Sequence, residues 1–182
     1  MVAKRIHILG APGSGTTTLG EGLAANLALP IFDSDQFYWE NWPKDFLKKR
    51  EPEARERLLH ASVSSRDAWI LSGSIDGWNS EIAHRFSHVI FLYLEPSMRM
   101  QRLRQREIDR FGEAALAPGG SQHEDATNFL SWASHYDDGT REGRSLPRHE
   151  AWMKTLTCPV LRLNSEASVP SLVQSALKFL KP

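Results

Sequence analysis

The sequence predicts an α/β protein built on a parallel β-sheet whose two faces are covered by helices. Three observations lead to this class. Short apolar segments alternate with longer segments of helical periodicity, the short segments contain few polar residues, and the first of them runs directly into a glycine-rich stretch. Strands of a parallel sheet are buried on both faces, so they read as continuous apolar runs rather than as alternating ones.

Five short segments are predicted to be strands, and six longer segments are predicted to be helices. The strands are residues 5–9, 30–32, 69–71, 89–94 and 159–163. The helices are residues 16–28, 52–64, 95–110, 122–133, 146–156 and 168–180. The first helix carries leucines at spacings of four residues, and the second is expected to turn Leu58, Leu59 and Val63 inward.

The composition is that of an ordinary globular protein, and we expect one domain over residues 1–182. The chain has 182 residues, of which 41% are hydrophobic and 24% are charged, and this length corresponds to about one domain. Lys+Arg and Asp+Glu both number 22, so the net charge is zero. Proteins that bind nucleic-acid phosphates or anionic membranes carry a positive excess, so neither partner is expected.

Cysteine content and hydropathy favour a cytoplasmic protein. The single cysteine, Cys158, leaves no internal disulfide to form, which fits a reducing compartment. The apolar run at 89–94 is far shorter than the roughly 20 residues that cross a bilayer. Residues 1–10 lack the apolar core and the cleavage site of a signal peptide.

A glycine-rich loop joins the first strand to the first helix. Its sequence, Gly10-Ala11-Pro12-Gly13-Ser14-Gly15-Thr16-Thr17, matches the phosphate-loop pattern G-x-x-x-x-G-K-[ST] at every position but one. Glycines let the backbone curl so that N–H groups point at phosphate oxygens, and the helix N-terminus adds positive potential. The loop therefore predicts a nucleotide-phosphate site, with the Thr17 hydroxyl available to Mg²⁺.

The one mismatch is Thr16, which stands where the pattern has lysine. That lysine normally reaches the β- and γ-phosphates, where charge is spread in the transition state of phosphoryl transfer. Its loss leaves two alternatives. Either an arginine from elsewhere in the chain supplies the charge, or turnover is weak or absent.

The glycine loop resembles that of the nucleotide and small-molecule kinases, the P-loop group that contains adenylate kinase, shikimate kinase and gluconate kinase. Phe32-Asp33-Ser34-Asp35 resembles the Asp-Ser-Asp after the second strand of shikimate kinases. Ile70-Leu71-Ser72-Gly73 stands where adenylate kinases carry Ile-Leu-Asp-Gly, with Ser72 in place of the aspartate, and residues 141–148 resemble the end of their lid. The adenylate-kinase-related bacterial proteins are the most similar branch.

This resemblance implies a P-loop three-layer αβα sandwich with a five-stranded parallel sheet in the order 2-3-1-4-5 and a helical lid insert. It also implies ATP as the phosphoryl donor, with Mg²⁺ as its cation. By resemblance to shikimate kinase, Asp33 holds the metal through water together with Thr17. By the same resemblance, Asp35 is the base that accepts the proton of the acceptor hydroxyl.

Two further segments are candidates for binding the acceptor. Asp33 and Asp35 alternate at the end of the second strand, which predicts side chains on opposite faces. The alternative is that Asp33 and Ser34 only cap the next helix. The stretch after the third strand offers two glycines for close approach, and its candidate substrate contacts are Gly73, Ser74, Asp76 and Trp78. The aromatic residues between 37 and 42 are expected to pack against the following helix.

Arginines recur along the helix after the fourth strand, at positions 99, 102, 106 and 110. This spacing places them on one helix face, while Met100, Ile108 and Phe111 occupy another face that packs inward. Arginine binds phosphate through two parallel hydrogen bonds and could supply the charge that Thr16 lacks. The predicted catalytic arginines are Arg102, Arg106 and Arg144. A solvated face of ion pairs is the alternative.

The segment 111–146 is predicted to be a lid inserted within the domain. Gly112, Pro118-Gly119-Gly120 and Gly139 flank one predicted helix. A hinged cover of this kind excludes water from phosphoryl transfer, whereas a static surface insert is the alternative.

These patterns together predict an ATP-dependent phosphotransferase that acts on a small metabolite or nucleotide. The first alternative is a nucleotide-binding sensor that transfers nothing, which follows from Thr16. The second alternative is a nucleoside or nucleoside-monophosphate kinase, although Ser72 counts against the adenylate version.

Overall fold

The computed structural model of the protein describes residues 4–43, 48–78 and 81–181. Five parallel strands form one sheet in the order β2-β3-β1-β4-β5, as predicted. The strands are β1 Arg5–Gly10, β2 Ile31–Asp33, β3 Trp69–Ser72, β4 His88–Tyr93 and β5 Val160–Asn164. Each lies within two residues of its predicted bounds.

Helices connect the strands on both faces of the sheet. They are α1 Thr16–Leu27, α2 Ser34–Tyr38, α3 Pro52–Ser64, α4 Pro96–Phe111, α5 Glu113–Leu116, α6 His123–Ser134, α7 Leu146–Met153 and α8 Val169–Phe179, with a 3₁₀ turn at Glu81–Arg85. The short helices α2 and α5 were not predicted, because segments of four or five residues are too short to show a helical period.

Two apolar clusters fill the spaces between the sheet and its helices. On one face, α1 and α8 bury Leu19, Leu23 and Leu172 against Ile6 and Ile8 of β1. On the other face, α2, α3 and α7 pack onto the opposite side of the strands. Both faces of the sheet are therefore covered, which explains the continuous apolar character of its strands.

The predicted inward face of α3 is partly wrong. Leu59 and Val63 are fully buried, but Leu58 is 43% exposed. Leu58 is one residue before Leu59, so about 100° of helix rotation separates the two side chains. Only Leu59 and Val63, four residues apart, share the face that meets the sheet.

A third, smaller cluster packs α6 against α4. Met100 and Leu103 of α4 contact Phe129, Trp132 and Ala133 of α6. The main part of the predicted lid segment therefore rests on the arginine-bearing helix, and Met100 packs inward as expected.

His7 lies in the middle of β1 with no exposed surface. Its Nδ1 lies 3.1 Å from the Leu71 carbonyl oxygen, and its ring stacks on Phe86 with centroids 4.7 Å apart. Burial lowers the pKa of His7 from 6.5 to about 3. The folded protein thus holds this ring neutral at pH values where an unfolded chain would protonate it.

We expect this neutral histidine to make folding sensitive to acid. Below pH 6.5 only the unfolded chain takes up the proton, so the free energy of unfolding falls by about 1.4 kcal/mol per pH unit. Between pH 6.5 and pH 5 the loss is about 2 kcal/mol. Urea denaturation of His7→Phe at pH 7.5 and pH 5 should show a smaller loss than the wild type. His60→Phe, at an exposed site on α3, is the control; equal losses in all three proteins would contradict the assignment.

Candidate active site

The glycine loop lies where β1 ends and α1 begins. Gly13 and Gly15 adopt φ values of +82° and +90°, a region that favours glycine. A Cβ on Gly10 would stand 2.5 Å from the Leu92 carbonyl oxygen, so the loop passes too close to β4 for any side chain there. The Ser14 N–H donates to the Ala11 carbonyl at 3.1 Å, which closes the turn.

The N-terminus of α1 is open toward this loop. Gly15 occupies the capping position, and no side chain accepts a hydrogen bond from the first turn of the helix. Uncapped N–H groups and the positive end of the helix dipole form an anion site when they face a glycine loop. A Cβ on Gly15 would meet nothing within 4 Å, so this mouth has room for a bound group.

Thr17 and Asp33 meet beside the loop. The Thr17 hydroxyl donates to Asp33 Oδ2 at 2.9 Å, and the Ser72 hydroxyl donates to the same oxygen at 3.3 Å. A hydroxyl beside a carboxylate suits Mg²⁺, which takes one or two protein oxygens and fills its other positions with water and nucleotide phosphates. The two residues therefore fit the predicted role. Across the described ranges, no group of three or more His, Cys, Asp or Glu side chains forms a separate metal site.

The prediction that Asp33 and Asp35 alternate on a strand is wrong. β2 ends at Asp33, whose Oδ1 accepts a hydrogen bond from the Asp35 N–H at 3.0 Å and so caps α2. Asp35 lies in the first turn of that helix. The capping alternative is thus correct for Asp33, yet its second oxygen remains directed at Thr17. One carboxylate performs both tasks because it has two oxygens.

Asp35 is a partly buried carboxylate between two arginines. Burial raises the pKa of Asp35 above 3.8, while the positive charges of Arg144 and Arg106 and a hydrogen bond from Trp39 act in the opposite direction. Three of the four predicted catalytic residues, Asp35, Arg106 and Arg144, therefore interact through their charges. Their elements, α2, α4 and the loop before α7, are far apart in the chain.

Arg102, the fourth predicted catalytic residue, contacts a different part of the structure. Its guanidinium donates to the Ser165 carbonyl at 3.1 Å, beyond the end of β5. Arg99 also departs from the predicted stripe, because it is fully buried and its guanidinium pairs with Asp137. The arginines of the predicted stripe on α4 thus have different surroundings, although their spacing suggested one face.

Two aromatic rings of α6 contact Arg106 and Arg144, the arginines whose charges act on Asp35. The Arg106 guanidinium lies 5.4 Å from the centre of the Phe129 ring, and that of Arg144 lies 5.4 Å from the Trp132 ring. Stacking on an aromatic face orients an arginine. Arg106 also forms an ion pair with the neighbouring Glu107, with Nη2 3.3 Å from Oε1, so the alternative of an ion-paired face is correct for Arg106. Sequence reasoning missed Phe129 and Trp132. Their spacing of three residues on a predicted helix was the available signal.

The loop after β3, residues 73–78, is only partly open. Gly73 adopts a φ of +89°, and a Cβ there would lie 2.1 Å from Ser34 Oγ. Ser74 and Asp76 form hydrogen bonds with His149, and the Asp76 side chain is 5% exposed. Of the predicted substrate contacts, Trp78 faces a cavity.

That cavity has a volume of about 240 Å³ and lies between α3 and the loop 73–78. Its lining residues are Pro52, Glu53, Arg55, Glu56, Gly77 and Trp78. Two of these residues contact Tyr38, whose ring stacks with Trp78 at a centroid distance of 6.5 Å and lies 4.0 Å from the Arg55 guanidinium. The predicted packing of the aromatic stretch holds for Phe37, which is buried, whereas Tyr38 is half-buried.

A glycine loop between β1 and α1, set in a parallel sheet ordered 2-3-1-4-5, defines a P-loop fold. Within that class, a family model described as "AAA domain" matches residues 6–116, and the chain belongs to this family. It is 43% identical to the uncharacterized protein YqaC of Bacillus subtilis, over 97% of both chains.

The P-loop kinases of small molecules are the group to which this chain is related. A shikimate kinase from Phocaeicola vulgatus is 31% identical over 58% of this chain and 66% of its own length. In structure, a shikimate kinase from Bacteroides thetaiotaomicron matches with a TM-score of 0.60 and 21% identity, covering 97% of this chain and 98% of its own. A gluconokinase from Sinorhizobium meliloti matches with a TM-score of 0.53 and 15% identity, covering 97% and 91%. The last two likenesses establish the fold.

Among residues 4–43, 48–78 and 81–181, none of the helices combines the length and the apolar character that a membrane span requires.

Proposed function

We propose that this protein is an ATP-dependent phosphotransferase whose acceptor is a hydroxyl group of a small metabolite. The observation that carries the proposal is the Thr17–Asp33 pair, joined by a hydrogen bond of 2.9 Å, beside a glycine loop that opens on the uncapped N-terminus of α1. The positive charges of Arg144 and Arg106, which act to lower the pKa of Asp35, support it. Phosphoryl transfer requires a cation site on the donor, an oriented acceptor hydroxyl and positive charge around the transferred group. Each of these groups of residues supplies one of the three.

We assign the following roles, which the geometry of the site supports. Residues 10–17 hold the phosphates of ATP through backbone N–H groups. Thr17 and Asp33 hold Mg²⁺, which neutralises phosphate charge when it is bound. Asp35 accepts a hydrogen bond from the acceptor hydroxyl and takes its proton as the new bond between that oxygen and the γ-phosphorus forms, while the bond from the γ-phosphorus to the β–γ bridging oxygen breaks and ADP leaves. The space we assign to the acceptor is the cavity lined by Gly77 and Trp78.

Arg106 and Arg144 replace the lysine that the loop lacks. Thr16, at the start of α1, has no charge to offer the phosphates. The positive charges of these two arginines act on Asp35 instead, the residue that we assign to the acceptor hydroxyl. The segment 111–146 provides the aromatic support for both and would act as the lid that excludes water.

A panel assay tests this function. The protein is incubated with ATP and Mg²⁺ and with sugars, polyol acids, shikimate-like acids, nucleosides or nucleoside monophosphates, and ADP formation is measured. The proposal expects ADP that depends on one acceptor class and on Mg²⁺. Tight ATP binding with no acceptor-dependent ADP would instead favour the nucleotide sensor, the function that Thr16 suggests. ADP formation with nucleosides or monophosphates alone would favour a nucleotide kinase.

A further inference from the structure

Four polar side chains form a hydrogen-bonded network behind the candidate active site. His149 of α7 is its centre and has no exposed surface. His149 Nε2 lies 2.8 Å from Ser74 Oγ and 3.2 Å from Asp76 Oδ1. His149 Nδ1 lies 2.7 Å from the Tyr136 hydroxyl. The network therefore joins the loop 73–78 to the segment between α6 and α7.

Asp76 is held as a carboxylate within this network. Burial acts to raise the pKa of Asp76, but hydrogen bonds from His149 and Ser74 outweigh it, and the pKa is lowered to about 2. Arg148 adds an ion pair, with its Nε 3.1 Å from Asp76 Oδ2. The loop 73–78 and the start of α7 are thus joined by two adjacent residues, Arg148 and His149.

The serine, histidine and aspartate do not form a hydrolytic triad. In a triad the nucleophile and the carboxylate bind opposite nitrogens of the imidazole. Here Ser74 and Asp76 share Nε2, and Tyr136 occupies Nδ1. The arrangement therefore lacks the relay that activates a serine. Its hydrogen bonds instead hold the loop 73–78 against α7, and we call this network the anchor.

The network lies where the loop of residues 137–145, which contains Arg144, begins and ends. The Leu146 N–H donates to the Tyr136 carbonyl at 2.7 Å, so the loop leaves and returns at one point. On its leading side, Asp137 pairs with the buried Arg99, whose Cγ would lie 3.1 Å from a Cβ on Gly13 of the glycine loop. Both ends of the loop are therefore attached to parts of the candidate site.

We propose that His149 is a positioning residue that fixes the Arg144 loop to the loop 73–78, so that acceptor binding and the placement of Arg144 beside Asp35 are coupled. Arg144 directly precedes Ser145, whose side chain caps the N-terminus of α7, so this arginine stands immediately before the helix that carries His149. The catalytic consequence rests on the proposed function, because it requires Arg144 to act in phosphoryl transfer. The anchoring itself concerns only contacts within this chain.

Tyr136→Phe tests the anchor with the smallest change. It removes the hydroxyl at His149 Nδ1 and keeps the ring beneath the Arg99 guanidinium, 5.1 Å away. Tyr93→Phe is the matched control, because Tyr93 is 37% exposed at the end of β4. Amide hydrogen exchange is measured for residues 138–145 and, as an internal reference, for β1 and β4. An unsatisfied buried nitrogen predicts exchange about tenfold faster in 138–145 alone.

A second variant separates a positioning role from simple loss of structure. His149→Gln keeps a side-chain donor and acceptor and should restore part of the protection that His149→Ala loses. Unchanged exchange of 138–145 in Tyr136→Phe and His149→Ala would overturn the proposal. An equal increase over β1, β4 and 138–145 would also overturn it, since it would indicate global destabilisation.

The activity readout distinguishes this proposal from the proposed function. Where an acceptor is phosphorylated, Tyr136→Phe should lower kcat by about tenfold and leave the Kd for ATP unchanged. If no acceptor is phosphorylated, the proposed function fails while the exchange measurement still decides the anchor. If phosphorylation occurs and exchange of 138–145 does not respond, only the anchor fails.

Discussion

Asp35→Asn is expected to reduce acceptor phosphorylation by at least about 10²-fold, because the amide cannot take the proton of the attacking hydroxyl. The Kd for ATP should change by less than about twofold, since the phosphates are held by residues 10–17 and the cation by Thr17 and Asp33. Kinetics of ADP formation and calorimetric titration of the nucleotide measure the two quantities. Asp67→Asn, at an exposed site before β3, is the control and should match the wild type.

The raised pKa of Asp35 makes the same variant informative about stability. Burial raises the pKa of this carboxyl above 3.8, so the folded state bears a cost for the charged form that the unfolded chain does not. That cost is present at neutral pH, declines as pH falls below the folded pKa, and is gone once the pH is below the ordinary value of 3.8. Asp35→Asn removes it, and the melting temperature at pH 7 should not decrease. If the variant is inactive and its melting temperature is unchanged or higher, the loss of activity results from the missing proton acceptor and not from unfolding. Activity retained by Asp35→Asn would contradict the role of the base.

The sequence was sufficient for the parts of the molecule that depend on neighbouring residues. The glycine loop is a contiguous stretch, and its conformation follows from glycines at positions with φ values of +82° and +90°. The strands were recognised because burial on both faces requires apolar residues at every position. The boundaries of α3 were predicted because Pro52 begins it and its periodic residues lie within one helix.

The parts that depend on distant contacts were not predictable from spacing. Arg99, Arg102 and Arg106 share a pattern in the sequence, but their partners differ. Arg99 pairs with Asp137 and Arg102 with the Ser165 carbonyl, whereas Arg106 contacts Glu107 and Phe129. Helical periodicity reports which way a side chain points and carries no information about what the fold brings to meet it. His149 was missed for the same reason, because its partners are 13, 73 and 75 residues away.

Arg144→Met is expected to lower kcat by about 10²- to 10³-fold, the effect of removing a charge that acts mainly in the transition state. Methionine keeps much of the length and the apolar contact with Trp132, so the variant tests charge more than packing. Arg102→Met should lower kcat less, because Arg102 donates to the Ser165 carbonyl. Arg104→Met, at an exposed site on α4, is the control and should behave as the wild type.

The double variant Arg144→Met/Thr16→Lys examines why this arginine is needed. If Arg144 supplies the charge that the glycine loop lacks, a lysine at position 16 should restore a positive charge next to the phosphates. The double variant should then recover at least about tenfold of the lost kcat, while Thr16→Lys alone should change the wild-type rate much less. Non-additivity of this kind is expected only when two residues act on one group. Equal effects of Thr16→Lys in both backgrounds would mean that Arg144 acts on something other than the transferred phosphate, and Arg106 would then be the arginine that compensates for Thr16.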